Sequence, residues 1–357
     1  MRADIALVGF GHVGRRFARL LEERRDWLAL DYELDCRIIG IATAHHGCIF
    51  RPQGIDAAAA ADREGPDALD ADATAAADSF AVIRHLAESD SAVKIVVETT
   101  TLDIAAGQPA IDHVRAALQS GCHVVTANKG PAAFAYEELS ALAADRGVSF
   151  LFEGAVMDGV PVFNLVRETL PAVDILGFRG VINSTTNHIL SAIEDGESFD
   201  GALARMQADG IAEADPSLDV DGWDAAAKTA ALANVLMRAR MTPQAVDREG
   251  IGQATARLAM AAKGRGARVR LVASAKRVAG SVATSVRPIE LPENDVLAGL
   301  RGVANALILQ TDLLGDIVMT QLAGGLTQTA YALLSDLVTV GRRHRRGRSG
   351  AAPGRSR

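Results

Sequence analysis

The chain has 357 residues, of which 49% are apolar and 23% charged, and its formal net charge is −7. This balance is typical of globular proteins and excludes a disordered acidic chain, a collagen-like fibre and a disulfide-stapled miniprotein. The net negative charge also argues against a general nucleic-acid binder. The length suggests about two domains. Three cysteines without zinc spacing and the lack of an N-terminal signal pattern predict a cytoplasmic protein, and no apolar run is long enough to suggest a membrane partner.

The first 150 residues alternate short apolar runs with amphipathic helical patterns. Such an alternation predicts an α/β domain with a parallel sheet that is covered on both faces. The predicted strands are 5–8, 37–42, 93–97, 123–126 and 148–151, and the predicted helices are 12–24, 79–88, 107–120 and 131–146. Residues 56–78 are mostly Ala and Asp, and we expect a solvated insertion there.

The second half changes character, and we expect an α+β domain over residues 151–324. Its predicted helices follow Val160-Pro161 and cover 186–194, 199–209 and 221–236, and its predicted strands cover 177–182 and lie within 267–290 and 303–321. A helix over 325–340 is predicted to return to and close the first domain. Residues 341–357 hold seven arginines and no acid. This basic tail is predicted to be disordered, and an arm for a nucleic acid or an acidic partner is the alternative.

A glycine-rich turn follows the first predicted strand. The six residues Gly9, Phe10, Gly11, His12, Val13 and Gly14 fit the pattern G-x-G-x-x-G and open a predicted helix. In this context the pattern predicts a dinucleotide site of the Rossmann type, with the pyrophosphate at the helix N-terminus. A glycine-rich turn without a ligand is the alternative.

The choice between NAD and NADP depends on the end of the second predicted strand. An acid that holds the adenosine ribose is expected there in NAD-binding proteins, but the strand continues into Thr43, Ala44, His45 and His46. Thr43 and the two histidines are candidates to accept a 2′-phosphate. The sequence therefore favours NADP slightly and leaves NAD open.

An acidic segment from Glu213 to Asp224 is followed by one lysine, Lys228, on an alanine-rich helix. Asp224 and Lys228 are four residues apart and share one helix face. A lysine among small residues, held by a carboxylate, is a candidate for general acid–base chemistry, and we expect partial burial to lower its pKa. An ordinary surface ion pair is the alternative. A second lysine, Lys129, lies at the carboxyl edge of a predicted parallel strand, where ligands bind in such sheets.

These motifs, in this order, resemble those of the homoserine dehydrogenases over residues 1–340. The resemblance rests on the glycine turn, on Thr126-Ala127-Asn128-Lys129-Gly130-Pro131, on Gly159-Val160-Pro161, on Asn183-Ser184-Thr185-Thr186-Asn187, and on the segment from Ala212 through Asp219 and Asp224 to Lys228. The match is to the short form that has a single activity and no amino-acid-sensing domain. That family reduces L-aspartate 4-semialdehyde to L-homoserine with NAD(P)H, in the biosynthesis of threonine, isoleucine and methionine.

The resemblance implies roles for single residues. Lys228 is the implied acid–base group, Asp224 orients it, and Lys129 is a second lysine at the reacting centre. The implied substrate-binding residues are Glu213, Asp219, Thr185 and Thr186. The implied cofactor-binding residues, beyond the glycine turn and Thr43, are Thr99, Thr100, Asn128, Lys129 and Gly325.

The resemblance also implies a monovalent cation such as sodium, held by Glu153, Val156, Asp158 and Val160, and a homodimer formed through the sheet of the second domain.

Three departures from the family pattern leave other functions open. Ser184 replaces a glycine, Ile211 replaces a tyrosine, and residues 321–325 replace the usual Gly-Pro-Gly-Ala-Gly run. A related NAD(P) oxidoreductase on another small amino-aldehyde or hydroxy acid is one alternative. A non-catalytic nucleotide-binding paralogue is another.

Overall fold

A computed structural model describes residues 1–62, 73–208 and 215–350, with the backbone alone from 347 to 350. Within these ranges the strands are β1 (Arg2–Val8), β2 (Asp35–Ala42), β3 (Cys48–Phe50), β4 (Thr74–Ala76), β5 (Val93–Glu98), β6 (His123–Thr126), β7 (Phe150–Leu151), β8 (Ile175–Val181), β9 (Asp247–Arg248), β10 (Ala267–Val278), β11 (Ser281–Pro292), β12 (Asn305–Thr311) and β13 (Asp316–Gln321). The helices are α1 (His12–Glu23), α2 (Arg25–Tyr32), α3 (Ala57–Ala61), α4 (Ser79–Ala87), α5 (Ala110–Gln119), α6 (Gly130–Phe134), α7 (Tyr136–Arg146), α8 (Val162–Thr169), α9 (Ser184–Glu194), α10 (Phe199–Ala208), α11 (Ser217–Val220), α12 (Trp223–Met237), α13 (Gln253–Lys263) and α14 (Leu326–Gly350). None of the described helices has the length and apolar composition that spanning a membrane requires.

The first sheet has the strand order β4-β3-β2-β1-β5-β6-β7. Strands β1, β2, β5, β6 and β7 are parallel, and the edge strands β3 and β4 run antiparallel to their neighbours. Six of the seven residues of β1 are buried because helices cover both faces, as the continuous apolar runs predicted. The chain order reverses between β2-β1 and β5, and ligands bind at such a switch point in parallel sheets. The predicted α/β class with a Rossmann-type domain is confirmed.

The segment predicted to be a solvated insertion is partly built into this domain. Helix α3 buries Ala57, Ala60 and Ala61 against the core, and β4 pairs with β3. Alanine is small enough to let α3 pack closely on α1. The prediction of a solvated insertion is therefore wrong for these elements, while residues 63–72 lie outside the described ranges.

The second sheet has the order β13-β12-β8-β10-β11-β9. Helices α9, α12 and α13 pack on its long strands. Near one end of this layer, Arg270 of β10 and Glu194 of α9 form an ion pair with an Nη1–Oε1 distance of 2.6 Å, and both side chains are completely buried. Strand β8 ends beside the start of β12, and α9 begins shortly after it. Asn183, which precedes α9, is connected through Asp224 to Lys129 at the edge of the first domain.

Helix α14 returns the chain to the first domain. It packs along α1, and its Leu333, Leu334 and Leu337 belong to the same buried cluster as β1. The helix continues past residue 340, where disorder was predicted: Arg342 stacks on Tyr32, and Arg343 pairs with Glu168. The predicted disorder is wrong for 341–346 because these arginines have acidic and aromatic partners in the fold, and residues 351–357 lie outside the described part.

Candidate active site

The glycine turn lies between β1 and α1 with the geometry that a phosphate requires. Gly9 has a φ of +96°, and a Cβ there would lie 2.5 Å from the backbone of Thr99. A Cβ on Gly14 would lie 2.5 Å from the carbonyl oxygen of Gly9. At Gly11 a Cβ would meet no atom within 4 Å, and no side chain caps the helix that begins after it. The first-turn N–H groups therefore face open space, as an anion site at a helix N-terminus needs.

The loops after β5 and β6 are joined by hydrogen bonds around Glu98. The buried Glu98 carboxylate accepts from the backbone N–H of Thr100 at 2.8 Å and from the Thr126 hydroxyl at 2.7 Å. Thr99 donates from its hydroxyl to the carbonyl of Gly9 at 2.8 Å, which ties this loop to the glycine turn. Burial raises the pKa of Glu98 above its ordinary value.

Asn128 completes this connection. Its Nδ2 donates to the carbonyl of Thr100 at 3.0 Å, and its Oδ1 accepts from the N–H of Gly130 at 2.9 Å. The amide is thus used within the protein, and Asn128 joins the loops that follow β5 and β6.

Two lysines meet at one carboxylate. Lys228 Nζ lies 3.0 Å from Asp224 Oδ2, and Lys129 Nζ lies 3.3 Å from Asp224 Oδ1. Lys228 also donates to the carbonyl of Ile182, at the end of β8, at 2.8 Å. The three charged side chains are between 14% and 22% exposed, so they are shielded but still open to a ligand. The structure therefore brings together the three predicted catalytic residues, Lys129 from the loop after β6 and Asp224 and Lys228 from α12.

The electrostatics of this group differ from the prediction. Burial alone would lower the pKa of Lys228, but Asp224 outweighs it, and the pKa is raised above its ordinary value. Burial would raise the pKa of Asp224, but Lys228 and Lys129 hold it far below the usual range. The expectation of a lowered lysine pKa is wrong because the ion pair is closer and less exposed than a surface pair. Lys228 is thus an ammonium over a wide pH range and is equipped to donate a proton.

Asp219 lies next to this group, and no lysine of the described residues forms an ion pair with it. Asn183 Nδ2 donates to Asp219 Oδ1 at 2.7 Å and to Asp224 Oδ2 at 2.9 Å. Burial and the neighbouring Asp224 raise the pKa of Asp219, and hydrogen bonds from Asn183 and Thr185 oppose that rise. A cationic group of a ligand beside Asp219 would favour its charged form, so Asp219 is a candidate to bind such a group. No role was predicted for Asn183, because its place in a motif does not show what its amide nitrogen contacts.

The remaining predicted substrate residues are placed differently from one another. Thr185 contacts Asp219, whereas Thr186 is completely buried and its hydroxyl bonds to Asn183. Thr186 is thus too buried to contact a ligand directly, unlike its predicted role, and it holds Asn183 in place. Glu213 lies outside the described residues, and so does Ile211, which replaces the family's tyrosine.

Thr43 follows β2, as predicted, but its hydroxyl is used in its own loop. It donates to the carbonyl of Gly47 at 2.9 Å and accepts from the N–H of His46 at 2.8 Å. His45 and His46 are exposed beside it. The loop thus presents these imidazoles, and the Thr43 hydroxyl holds the loop in shape.

Glu153 lies just after β7 in a buried position. Its Oε1 and Oε2 accept from the backbone N–H groups of Phe163 at 2.8 Å and Asn164 at 2.7 Å, at the start of α8. Burial and the nearby Asp336 raise the pKa of Glu153 to about 8. A carboxylate in this setting gains from a positive charge beside it.

The backbone after Glu153 offers further oxygens. The carbonyl of Val160 accepts from the N–H of Val162 at 2.8 Å. In the described part of the chain no hydrogen bond reaches the carbonyls of Val156 and Asp158. A buried carboxylate with unpaired carbonyls is an oxygen donor set that suits a hard cation, so these residues fit the ion that the resemblance implies.

The start of α14 is tied to the same loop. Asp158 Oδ2 accepts from the N–H of Gly325 at 3.1 Å, and its Oδ1 accepts from the Thr329 hydroxyl at 2.9 Å. Asp158 also raises the pKa of Lys228, behind the larger effect of Asp224. Two of the departures lie close by: Ser184 Oγ accepts from Asn305 Nδ2 at 2.9 Å, and Asn305 pairs with Gln321 across β12 and β13.

Two family models match consecutive parts of the chain. The model described as the NAD-binding domain of homoserine dehydrogenase matches residues 9–153, and the model described as homoserine dehydrogenase matches residues 161–338.

Relatives match over nearly their whole length. The NAD(+)-dependent homoserine dehydrogenase of Pseudomonas canavaninivorans is 36% identical over 94% of this chain and 95% of its own. The homoserine dehydrogenase of Methanocaldococcus jannaschii is 34% identical over 94% and 98%. The solved structure of a hyperthermophilic archaeal homoserine dehydrogenase has a TM-score of 0.78 at 28% identity, and the match covers 96% of this chain and 98% of that one. These matches agree with the resemblance that the motifs carried, and the chain belongs to the homoserine dehydrogenase family of NAD(P)-dependent oxidoreductases.

Proposed function

We propose that this protein reduces L-aspartate 4-semialdehyde to L-homoserine with NAD(P)H, at the branch toward threonine, isoleucine and methionine. The observation that carries the proposal is the placement of Lys129 and Lys228 on the two oxygens of Asp224, at the carboxyl edge of the nucleotide-binding sheet. When bound, the reduced nicotinamide supplies the hydride for the aldehyde carbon.

The lysines deal with the charge that develops on the substrate oxygen. An aldehyde that accepts hydride becomes an alkoxide, and a nearby ammonium both stabilises and protonates it. Lys228 is the proton donor in this proposal because its pKa is raised and Asp224 and the carbonyl of Ile182 fix its position. Lys129 adds a second positive charge, and Asp224 holds the two lysines together.

The substrate also carries an ammonium and a carboxylate. Asp219, which forms no ion pair with a lysine of the described residues, is the proposed contact for the ammonium, and Glu213 joins it by resemblance. Thr185 lies against Asp219. Holding the charged end in this way orients the aldehyde for reaction.

For the cofactor, we propose the glycine turn as the pyrophosphate site and the loops of Thr99–Thr100 and Asn128–Lys129 as the nicotinamide edge. NADP is proposed as the preferred form because no acid ends β2 and His45 and His46 are exposed there. The archaeal relative is known in complex with NADPH, whereas the Pseudomonas relative is NAD(+)-dependent, so each cofactor needs its own measurement.

The test is the loss of reduced-cofactor absorbance with L-aspartate 4-semialdehyde, run with NADPH and NADH. Turnover supports the proposal, and the ratio of kcat/KM values gives the cofactor preference. A folded sample that binds NADPH and turns over another small aldehyde faster would contradict the proposed substrate. A sample without turnover on any aldehyde would contradict the proposed activity.

We further propose that Glu153 and the carbonyls of Val156, Asp158 and Val160 hold a monovalent cation. The ion would neutralise a buried carboxylate and fix the loop that begins α8 and contacts α14. Adding sodium at constant ionic strength, with tetramethylammonium as the replaced ion, is expected to raise Tm by a few degrees. Glu153→Gln should remove this rise, whereas an equal rise in that variant would place the ion elsewhere.

The proposed assembly is a homodimer formed through the second sheet. By register, Val318 and Ile289 lie on the same sheet face, and they are 43% and 39% exposed. Light scattering is expected to give twice the chain mass of 37.4 kDa, and the mass of a single chain would contradict the dimer. A cytoplasmic location is also proposed, and the three unpaired cysteines agree with it.

A further inference from the structure

Asn183 uses both ends of its side-chain amide. The side chain is 4% exposed and precedes the first turn of α9. Its Oδ1 accepts from the N–H of Thr186 at 2.8 Å and from the Thr186 hydroxyl at 2.9 Å. Its Nδ2 donates to Asp219 at 2.7 Å and to Asp224 at 2.9 Å. The amide therefore caps a helix and bridges two carboxylates at once.

The helix cap fixes the direction of the bridge. Because the N–H of Thr186 needs an acceptor, the amide oxygen must face α9. The NH₂ group, which has two hydrogens and no acceptor capacity, is then directed at the carboxylates, with one hydrogen for each. A side chain that only caps the helix would not need these two donors.

The bridged carboxylates come from two elements that meet at an elbow. Asp219 lies on the short helix α11, and Asp224 lies in the first turn of α12. Gly222 forms the elbow between them with a φ of +79°. Two partly buried carboxylates at such an elbow repel each other, and a shared donor offsets that repulsion.

We propose that Asn183 is a positioning residue that holds the proposed ammonium-binding carboxylate of Asp219 and the lysine-orienting carboxylate of Asp224 at a fixed separation. The inference rests on the proposed function, in which these carboxylates serve the two ends of one substrate. The bridge sets the distance between the substrate's charged end and the proton donor. Its loss should therefore affect binding and turnover together.

The charges around Asp219 agree with this role. Asp224 and burial raise its pKa, whereas Asn183, Thr185 and Lys228 lower it. Lys129 lowers the pKa of Asp224, and Asp158 raises the pKa of Lys228, so both also influence the charges around Asp219. Without the amide donor, Asp219 would keep the effects that favour its protonated form and lose one that favours its charged form.

The deciding variant is Asn183→Asp. Aspartate caps helices as well as asparagine does, so α9 keeps its cap, but an acceptor replaces the NH₂ group. We expect kcat to fall about tenfold and KM to rise about tenfold, as loss of a hydrogen bond to a charged group implies. The acid limb of kcat/KM should move to higher pH by about one unit, because a third carboxylate raises the pKa of Asp219.

The matched control is Asp78→Asn. Asp78 caps α4, a helix away from the site, by accepting from the N–H of Ala81. Its replacement by asparagine is the reverse of the Asn183→Asp substitution. Its kinetic constants and pH profile should equal those of the wild type. If Asn183→Asp also matches the wild type, Asn183 is a helix cap and the proposal fails.

Two further measurements separate the possible causes. If Asn183→Asp lowers Tm strongly, Asn183→Ser provides a second cap that is too short to bridge both carboxylates, and it should show the same joint loss in kcat and KM. A loss of stability in either variant with unchanged kinetic constants overturns the proposal. If the wild type turns over no aldehyde, the proposed function fails. The bridge is then tested by ¹³C NMR titration of Asp219, whose pKa should rise in Asn183→Asp and stay the same if no bridge exists.

Discussion

Replacing Lys228 with alanine is expected to lower kcat by at least about 100-fold, the scale usual for loss of a general acid. The alkoxide would lose the ammonium that Asp224 and the carbonyl of Ile182 hold in place. Alanine is a good helix former, so α12 should persist. Cofactor affinity, measured by fluorescence titration, should barely change, because Lys228 lies on α12 and the glycine turn lies on the other domain.

The control for this experiment is Lys276→Ala. Lys276 is exposed near the end of β10, so its removal should leave kcat unchanged. A near-normal kcat in Lys228→Ala would show that Lys228 is not the proton donor, and Lys129 would then be the candidate for that role.

Glu194→Gln is expected to destabilise the fold by about 3–5 kcal/mol, the usual cost of breaking a buried ion pair by removing one charge. The completely buried guanidinium of Arg270 has Glu194 as its carboxylate partner and otherwise donates to backbone carbonyls, such as that of Leu300 at 3.1 Å. Glutamine preserves the shape of glutamate and removes the charge. Thermal unfolding followed by circular dichroism should show the loss as a lower Tm.

The corresponding exchange at the surface isolates the effect of burial. Glu197 pairs with Arg205 at 2.9 Å, and both side chains are more than 40% exposed. Glu197→Gln should cost less than about 1 kcal/mol, as exposed ion pairs do. Equal Tm losses in the two variants would mean that the buried charge pair has no special weight in this fold.

Local patterns were enough to predict the first domain. The strand after Met1, the glycine turn and α1 are adjacent in the chain, so periodicity and turn chemistry predict them directly. The edge strands β3 and β4 were missed because three-residue strands carry too little periodicity. The alanine-rich helix α3 was predicted to be exposed, because a run of alanines has no hydrophobic periodicity that would indicate a buried face.

Contacts between distant residues were harder to predict. The spacing of Asp224 and Lys228 predicted their pair, but nothing in the chain predicted that Lys129, far away in sequence, would share the same carboxylate. The sign of the Lys228 pKa shift was predicted wrongly because it depends on how closely Asp224 approaches Lys228, and the spacing alone does not give that distance. The bridge from Asn183 was missed for the same reason, since a capping signal reports only the next turn of the helix.

The return of α14 to the first domain has a consequence for how the protein is made. Leu333, Leu334 and Leu337 fill the same cluster as residues of β1 and α1, so the nucleotide-binding half lacks part of its interior until the ribosome has translated α14. The second half, by contrast, has all of its sheet once β13 is complete. During synthesis the C-terminal half is therefore in a position to fold first, and the order in which the domains mature would be the reverse of the order in which they are encoded.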